Sequence, residues 1–221
     1  MNRGMLALVS LVACAALSVG AGCGDSTGSG GSGAGGGTGG TPAEGGGGNG
    51  TTGATCADYC ATMTTACSGA NSQYASEDGC LAECAAFEQG DAGAMSGNSL
   101  ECRAYHASVA ATPTDPQIHC VHAGPLGGGA DAMVGCGDDP CESFCNIATE
   151  ICTGVDGYPF TSFDDCHTQC QGYTDDVDFT TNETTGDSLA CRMYHLSVAA
   201  QSETEAATHC AHVSGSMCAP L

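Results

Sequence analysis

The sequence predicts a mainly α-helical, disulfide-rich protein with two helical modules in tandem behind a disordered, glycine-rich tether. Three observations favour this fold class. Cysteine accounts for 18 of the 221 residues, a proportion typical of small disulfide scaffolds. One pattern of cysteine spacing occurs twice along the chain. Aromatic residues make up only 5% of the chain, so a large hydrophobic core cannot form and cross-links must supply stability instead.

Residues 1–22 have the pattern of an export signal. Arg3 is the only cation, and the apolar run from Met5 to Val19 is too short for a comfortable membrane span. The small residues before Cys23 resemble the lipobox of bacterial lipoproteins, in which this cysteine is acylated and becomes the mature N-terminus. The alternative is plain secretion, with Cys23 in a disulfide. Lipidation of Cys23 and removal of Cys14 leave an even number of cysteines to be oxidised outside the cytoplasm.

Residues 23–55 combine this N-terminus with a linker rich in Gly, Ser and Thr. Half of residues 24–55 are glycine. Such a segment cannot bury enough apolar surface to offset the entropy lost on ordering, so we expect a flexible coil that holds a folded head away from a membrane.

The head reads as a duplication. A cysteine-rich repeat at 56–136, a joint at 137–140 and a second repeat at 141–221 follow from the cysteine spacing, and residues 97–111 match 186–200 at 11 of 15 positions. The cysteines that we expect to form disulfides are Cys56, Cys60, Cys67, Cys80, Cys84, Cys102, Cys120 and Cys136, followed by Cys141, Cys145, Cys152, Cys166, Cys170, Cys191, Cys210 and Cys218.

Each repeat contains two Cys-x3-Cys pairs, and this spacing places two sulfur atoms on one helical face. Two antiparallel helices joined by such pairs would link Cys56 to Cys84 and Cys60 to Cys80. The eight cysteines of one repeat allow 105 connectivities, so the full pairing stays open. We expect about four short helices in each repeat. One of them begins near Asn98 or, in the second repeat, near Asp187, each interpreted as an N-cap.

The sharpest pattern is the placement of histidine and arginine. Six of the seven histidines occupy matching positions in the motifs Cys-Arg-x-Tyr-His and His-Cys-x-His, and so do the only two arginines after the signal, Arg103 and Arg192. One hypothesis is a copper or zinc site in each repeat, because imidazole is a common ligand of both metals. The histidines concerned are His106, His119, His122, His195, His209 and His212.

The competing hypothesis is structural. Each arginine then forms an ion pair with a carboxylate and holds a loop against a helix, and the histidines bond to nearby backbone groups. A third alternative makes Arg103 and Arg192 anion-binding groups in a ligand pocket. The structural hypothesis is the one that we prefer from the sequence, with no cofactor required.

Composition and missing motifs exclude several function classes. The formal charge is −22, so binding to a phosphate backbone is excluded and we expect no nucleic-acid partner. The chain lacks a haem-attachment motif, a thioredoxin-like Cys-x-x-Cys, a phosphate-binding loop, a Gly-x-Ser-x-Gly elbow and a His-Glu-x-x-His zinc motif. An enzyme is therefore the less expected class, and no catalytic residue stands out.

The motifs Cys-Arg-x-Tyr-His and His-Cys-x-His, the latter within the run at 119–125, resemble those of cysteine-rich lipoproteins common in myxobacteria. The second repeat departs from this pattern after His212. The resemblance implies attachment to the bacterial cell envelope, with the outer membrane as the expected location, and implies no activity. We therefore expect a binding or structural scaffold that contacts the membrane through its lipid and an envelope protein or glycan through its head. Copper or zinc binding, or metal-dependent redox activity, is the alternative.

Overall fold

The computed structural model describes residues 53–112, 114–128, 135–137, 139–174, 178–214 and 218, which belong to one compact unit, Gly48–Leu221. Within these residues there are eight α-helices and no strand, and one isolated bridge joins Thr174 to Ser188. The predicted mainly α, disulfide-rich fold class is confirmed. None of the described helices is long and apolar enough to cross a membrane. The predicted signal peptide, Cys23 and most of the predicted linker lie outside the described residues.

The described helices divide into two halves of four, the first before Gly137 and the second after it. Those of the first half are α1 Cys56–Ala66, α2 Glu77–Cys84, α3 Leu100–Ala110 and α4 Pro116–Ala123. Those of the second half are α5 Pro140–Cys152, α6 Phe163–Cys170, α7 Leu189–Ala199 and α8 Glu203–His209. Short 3-10 turns occur at Gly69–Asn71 and Cys210–His212. Pro140, which we assigned to the joint, is the first residue of α5.

Side-chain caps determine where most of these helices begin. The α3 cap is Ser99, whose hydroxyl accepts a hydrogen bond from the Cys102 amide, and Ser188 caps α7 in the same way. The predicted caps, Asn98 and Asp187, were therefore wrong by one residue. Both side chains have other partners, since the Asn98 amide oxygen accepts from the Ser143 hydroxyl and Asp187 pairs with Arg192. A serine hydroxyl is also a good N-cap acceptor, so the adjacent serine can take over this role.

The disulfides have the same order in the two halves. Because the start of α1 is bonded to the end of α2 through Cys56–Cys84, and Cys60 to Cys80, these helices run antiparallel, with the pairs that the spacing favoured. The equivalent pairs between α5 and α6 are Cys141–Cys170 and Cys145–Cys166. The remaining four are Cys67–Cys120, Cys102–Cys136, Cys152–Cys210 and Cys191–Cys218.

Each half has a small core centred on a pair of aromatic rings. Tyr59 and Tyr74 meet edge to face in the first half, with ring centroids 6.1 Å apart. Phe144 and Phe160 occupy the equivalent positions in the second half, 6.4 Å apart. The buried Tyr59 hydroxyl donates to the Ala123 carbonyl at the end of α4, so this ring also fixes the position of that helix.

Hydrogen bonds join the two halves. The amide of Gln73 donates to the Phe179 carbonyl over 2.9 Å, and the Thr181 amide donates to the Ser72 carbonyl over 2.8 Å. The Ala75 amide donates to the Ser197 hydroxyl on α7. These polar contacts hold the two halves together in addition to the covalent chain between them.

The predicted linker ends earlier than residue 55. Glu101 accepts a hydrogen bond from the Ala54 amide, and Gln89 donates to the Ala54 carbonyl. Thr55 is the N-cap of α1. Residues 53–55 therefore belong to the folded part, because the backbone of Ala54 bonds to side chains on α3 and on the loop that precedes it.

Candidate metal centres

Each half brings three histidines together at the junction of its third and fourth helices. His106 lies on α3, whereas His119 and His122 lie one turn apart on α4. In the second half His195 lies on α7, His209 ends α8, and His212 lies in the following 3-10 turn. The nitrogen atoms available as ligands lie within 4.8 Å of one another in each group. We call them the first and the second histidine cluster.

The two clusters have nearly the same internal geometry. The Nδ1 atoms of His106 and His119 are 3.1 Å apart, and those of His195 and His209 are 3.0 Å apart. The ring planes of these pairs are inclined by 28° and 29°. In both clusters the third ring stands edge-on to the first, with centroids 5.0 Å apart.

These distances suit a tetrahedral metal ion. Two imidazole nitrogens bound to one zinc ion at 2.0–2.1 Å are about 3.3 Å apart when the angle between them is tetrahedral. The observed Nδ1–Nδ1 distances of 3.0 and 3.1 Å are close to this value. Each pair can therefore become two neighbouring ligands with little movement of the helices.

Arg103 holds α4 in register with α3. The guanidinium is fully buried, and its Nε and Nη2 atoms donate to the carbonyls of Gly124 and Pro125, directly after α4, over 3.2 Å each. It also lies 4.1 Å above the ring of Phe87. Among the described residues the N–H groups of Arg103 contact backbone carbonyls and the Ser143 hydroxyl, and no carboxylate lies within ion-pair distance.

Arg192 follows the structural expectation more closely. It pairs with the Asp187 carboxylate and donates to the Ser188 carbonyl over 2.9 Å. Its guanidinium lies 3.7 Å above the ring of Tyr173, which is the position equivalent to Phe87. Both arginines thus stack on an aromatic side chain that lies three residues after the last cysteine of α2 or of α6.

The proton positions in the first cluster follow from its partners. The Nε2 atom of His106 lies 3.3 Å from the carbonyl oxygen of Met95, which can only accept a hydrogen bond. In a neutral His106 the Nε2 atom therefore carries the proton and Nδ1 carries a lone pair, which accepts from the Nδ1–H of His119. A backbone carbonyl behind one ring nitrogen is the usual arrangement for a histidine that binds metal through the other.

One buried nitrogen in the first cluster has no hydrogen-bond partner among the described residues. This atom is Nδ1 of His122. Buried ring nitrogens in proteins almost always find a partner, and an unsatisfied one costs about 1–3 kcal/mol. In the neutral tautomer that carries its proton on Nε2, this Nδ1 atom has the free lone pair that a metal ligand needs.

Burial lowers the pKa of several of these histidines. In the first cluster it lowers the pKa of His106 and His122, and the neighbouring rings add to the effect. In the second cluster it lowers the pKa of His195 to about 4 and also lowers the pKa of His209. These four imidazoles are therefore neutral at pH 7, the form that binds metal.

Three other side chains lie beside His106, and none of them offers a thiolate or a buried phenol. The sulfur atoms of Cys102 and Cys136 lie within 4.8 Å of a ring nitrogen of His106, but they are joined in a disulfide. The ring of Tyr105 contacts His106 edge to face at 5.1 Å, and this side chain is 38% exposed. Tyr105 therefore lies at the exposed edge of the first cluster.

The arrangement can hold an exchangeable ion. Among the described residues each cluster offers three nitrogen ligands, so a tetrahedral ion would keep its fourth position for water or another molecule. Structural zinc sites fill all four positions with protein ligands, whereas sites that react or exchange keep one open. Most of the cluster side chains are partly exposed, and His106 alone is buried.

Two residues beside the clusters were missed by sequence reasoning. Met95 contributes only its carbonyl oxygen, which no side-chain motif reveals. Glu205 lies four residues before His209 on α8, and its Oε2 atom is 3.3 Å from the Nε2 atom of His209. The i, i+4 spacing on a predicted helix was a signal that could have identified Glu205.

The remaining predicted residues are placed as follows. All sixteen cysteines that we assigned to disulfides are paired. Cys23, the expected lipidation site, lies outside the described residues. The seventh histidine, His167, is in neither cluster and contacts the Asp139 carboxylate at the start of α5 over 2.7 Å.

Comparison with known proteins gives one match. Residues 49–139 match the model of the BfoA family C-terminal domain. The matched region contains the first half and with it His106, His119 and His122. No curated protein and no solved structure matches the chain.

Proposed function

We propose that this protein binds zinc or copper ions outside the cytoplasm, one at each histidine cluster. The observation that carries the proposal is the second occurrence of one geometry. Two sets of three imidazoles repeat an Nδ1–Nδ1 distance to within 0.1 Å, 3.1 Å against 3.0 Å. A hydrogen bond from one histidine to a carbonyl does not require two further imidazoles within 4.8 Å.

The ligand set favours these metals over others. Neutral imidazoles suit zinc and copper, whereas calcium and magnesium need oxygen ligands. The sixteen paired cysteines offer no thiolate, so the binding rests on nitrogen. Three protein ligands favour capture and release of an ion over a permanent structural role.

The location that we propose is the cell envelope. The disulfides point to an oxidising compartment, and we infer attachment through a lipid on Cys23. A membrane is then one partner of the chain. The glycine-rich linker would let the two clusters reach ions, or an envelope protein or glycan, at a distance from the lipid surface.

The scaffold hypothesis now describes how the sites are held. In each half one disulfide attaches the third helix and another attaches the fourth helix or the turn directly after it. In the first half the buried Arg103 also donates to the carbonyls directly after α4. These contacts arrange the imidazoles before a metal binds. A scaffold without metal predicts that the histidines can be replaced with a loss of stability and no other consequence. A metal titration therefore distinguishes the two hypotheses.

A cobalt titration tests the proposal. Co²⁺ added to the metal-free, oxidised protein is expected to give the visible absorption of a tetrahedral nitrogen site, with an end point at two equivalents. The variant His119→Ala/His122→Ala is expected to shift the end point to one equivalent, and His167→Ala, the control outside both clusters, to leave it at two. No tetrahedral absorption from the wild-type chain would overturn the proposal.

A further inference from the structure

The two histidine clusters share their inner geometry but differ in what stands behind the rings. In the first cluster the Nε2 atom of His106 donates to the neutral carbonyl of Met95. In the second cluster the Nε2 atom of His209 faces a charged group, the Glu205 carboxylate, at 3.3 Å. Nδ1, the other nitrogen of His209, is the one that faces His195. Glu205 therefore stands on the side of the ring away from the other imidazole of the pair.

A carboxylate in this position strengthens metal binding in two ways. It fixes the proton on Nε2, which leaves the Nδ1 lone pair free, and it makes the imidazole a stronger base. Its negative charge also attracts a divalent cation directly. Loss of such a partner typically lowers metal affinity by about 10–100-fold. Because the Glu205 side chain is 43% exposed, water screens its charge, and the lower end of that range applies.

Among the described residues no carboxylate lies within ion-pair distance of a ring nitrogen of the first cluster. The Asp178 carboxylate acts on His122 only over a longer distance. The position four residues before His119 is Asp115, whose side chain is one carbon shorter than that of glutamate. Asp115 is the N-cap of α4 and has a left-handed backbone with φ of 47°. The described residues contain no ion pair between Asp115 and His119, whereas they contain one between Glu205 and His209.

We infer that the second histidine cluster binds a divalent metal ion about tenfold more tightly than the first, and that Glu205 sets this difference as a positioning residue behind His209. This inference rests on the proposed function. It means that the two sites fill in order, so the chain responds to metal over a wider range of concentration than two equal sites would.

Single-site proteins test the inference. His119→Ala/His122→Ala leaves only the second cluster and His209→Ala/His212→Ala only the first, both in the full oxidised chain. The dissociation constant for Zn²⁺ is measured at pH 7 by competition with a chromophoric chelator. We expect the second cluster to bind Zn²⁺ about tenfold more tightly than the first. Adding Glu205→Gln to the His119→Ala/His122→Ala protein, which keeps only the second cluster, is expected to remove this advantage. The matched control on the same helix, Glu203→Gln, is expected to change nothing.

Ionic strength gives a readout that a purely structural role of Glu205 would not affect. The tenfold advantage is expected to shrink as salt is raised, and the Glu205→Gln protein is expected to lose this salt dependence while its metal-free melting temperature stays unchanged. Equal Zn²⁺ affinities of the two single-site proteins, with no effect of Glu205→Gln, would overturn the inference and leave the proposed function standing. Failure of both single-site proteins to bind Zn²⁺ would overturn the proposed function itself.

Discussion

At the scale of single residues, the most unusual group outside the histidine clusters is a buried carboxyl. Glu83 on α2 is fully buried, and neither of its oxygens makes a hydrogen bond among the described residues. Burial raises its pKa to about 8, although the nearby Ser197 hydroxyl opposes part of the rise. At pH 7 this carboxyl is therefore neutral in the folded protein and ionised in the unfolded chain.

Replacement of Glu83 by glutamine is expected to stabilise the protein. Because the folded state holds a proton that the unfolded chain releases between about pH 4.5 and 8, the free energy of unfolding falls as pH rises through this range. Glu83→Gln removes that loss, which is on the order of 4 kcal/mol at pH 8. Denaturant melts at pH 5 and pH 8 measure it. An equal effect at both pH values would contradict the assigned pKa.

The second cluster predicts a pH effect of the opposite sign. The pKa of His195 is lowered from 6.5 to about 4 by burial, so between these values the unfolded chain takes up a proton that the folded chain does not. The metal-free protein is therefore expected to lose stability as pH falls from about 6.5 to 4. His195→Gln is expected to flatten this part of the profile, measured by melts of the metal-free chain. His167→Gln is the comparison, and an unchanged slope in His195→Gln would refute the assignment.

At the scale of helices, the serine caps are the clearest test of how the sequence sets element boundaries. The Ser99 hydroxyl accepts from the Cys102 amide at the start of α3. Ser99→Ala is expected to cost about 1 kcal/mol of unfolding free energy. Ser108→Ala, in the same helix but with an exposed hydroxyl that bonds only to the Tyr105 carbonyl, is expected to cost less than about 0.5 kcal/mol. Chemical denaturation compares the two, and equal costs would show that Ser99 does not cap α3.

The helices themselves were predictable from the sequence, but their exact ends were less so. The predicted helices that begin near Asn98 and near Asp187 are present in the structure as α3 and α7. The cap positions shifted by one residue because the side chains of Asn98 and Asp187 have partners distant in sequence or on a neighbouring turn. Such tertiary partners cannot be read from local pattern alone.

The histidines of the candidate site could be predicted from the sequence, whereas the backbone groups around them could not. The matching histidines followed from the two motifs, because three imidazoles in equivalent places of two repeats are visible in the sequence. The role of Arg103 was not, because its partners are backbone carbonyls, which carry no residue-specific signal. The carbonyl of Met95 was hidden for the same reason.

At the scale of the whole molecule, the disulfides that join distant helices are expected to control each cluster separately. Cys67–Cys120 joins the residue after α1 to α4, which carries His119 and His122, and it spans 53 residues. Replacing both cysteines by alanine is expected to cost about 2–5 kcal/mol and to weaken Zn²⁺ binding at the first cluster. Zn²⁺ affinity of the second cluster, held by Cys152–Cys210, is expected to stay unchanged.

Calorimetric titration of this variant with Zn²⁺ distinguishes local from global effects. Loss of the first binding step alone is the expected result. The reciprocal variant without Cys152–Cys210 is the matched control, and it is expected to lose the second cluster instead. Loss of both binding steps in either variant would show that the halves do not hold their clusters independently.

The central claim is that each half binds one metal ion through its three histidines. It is tested most directly by the native mass of the oxidised chain after incubation with Zn²⁺ and desalting. The account predicts two bound ions in the wild-type chain, one in His119→Ala/His122→Ala, one in His209→Ala/His212→Ala and none when all four histidines are replaced. A wild-type chain that retains no zinc and no copper, or a four-histidine variant that retains as much as the wild type, would contradict it.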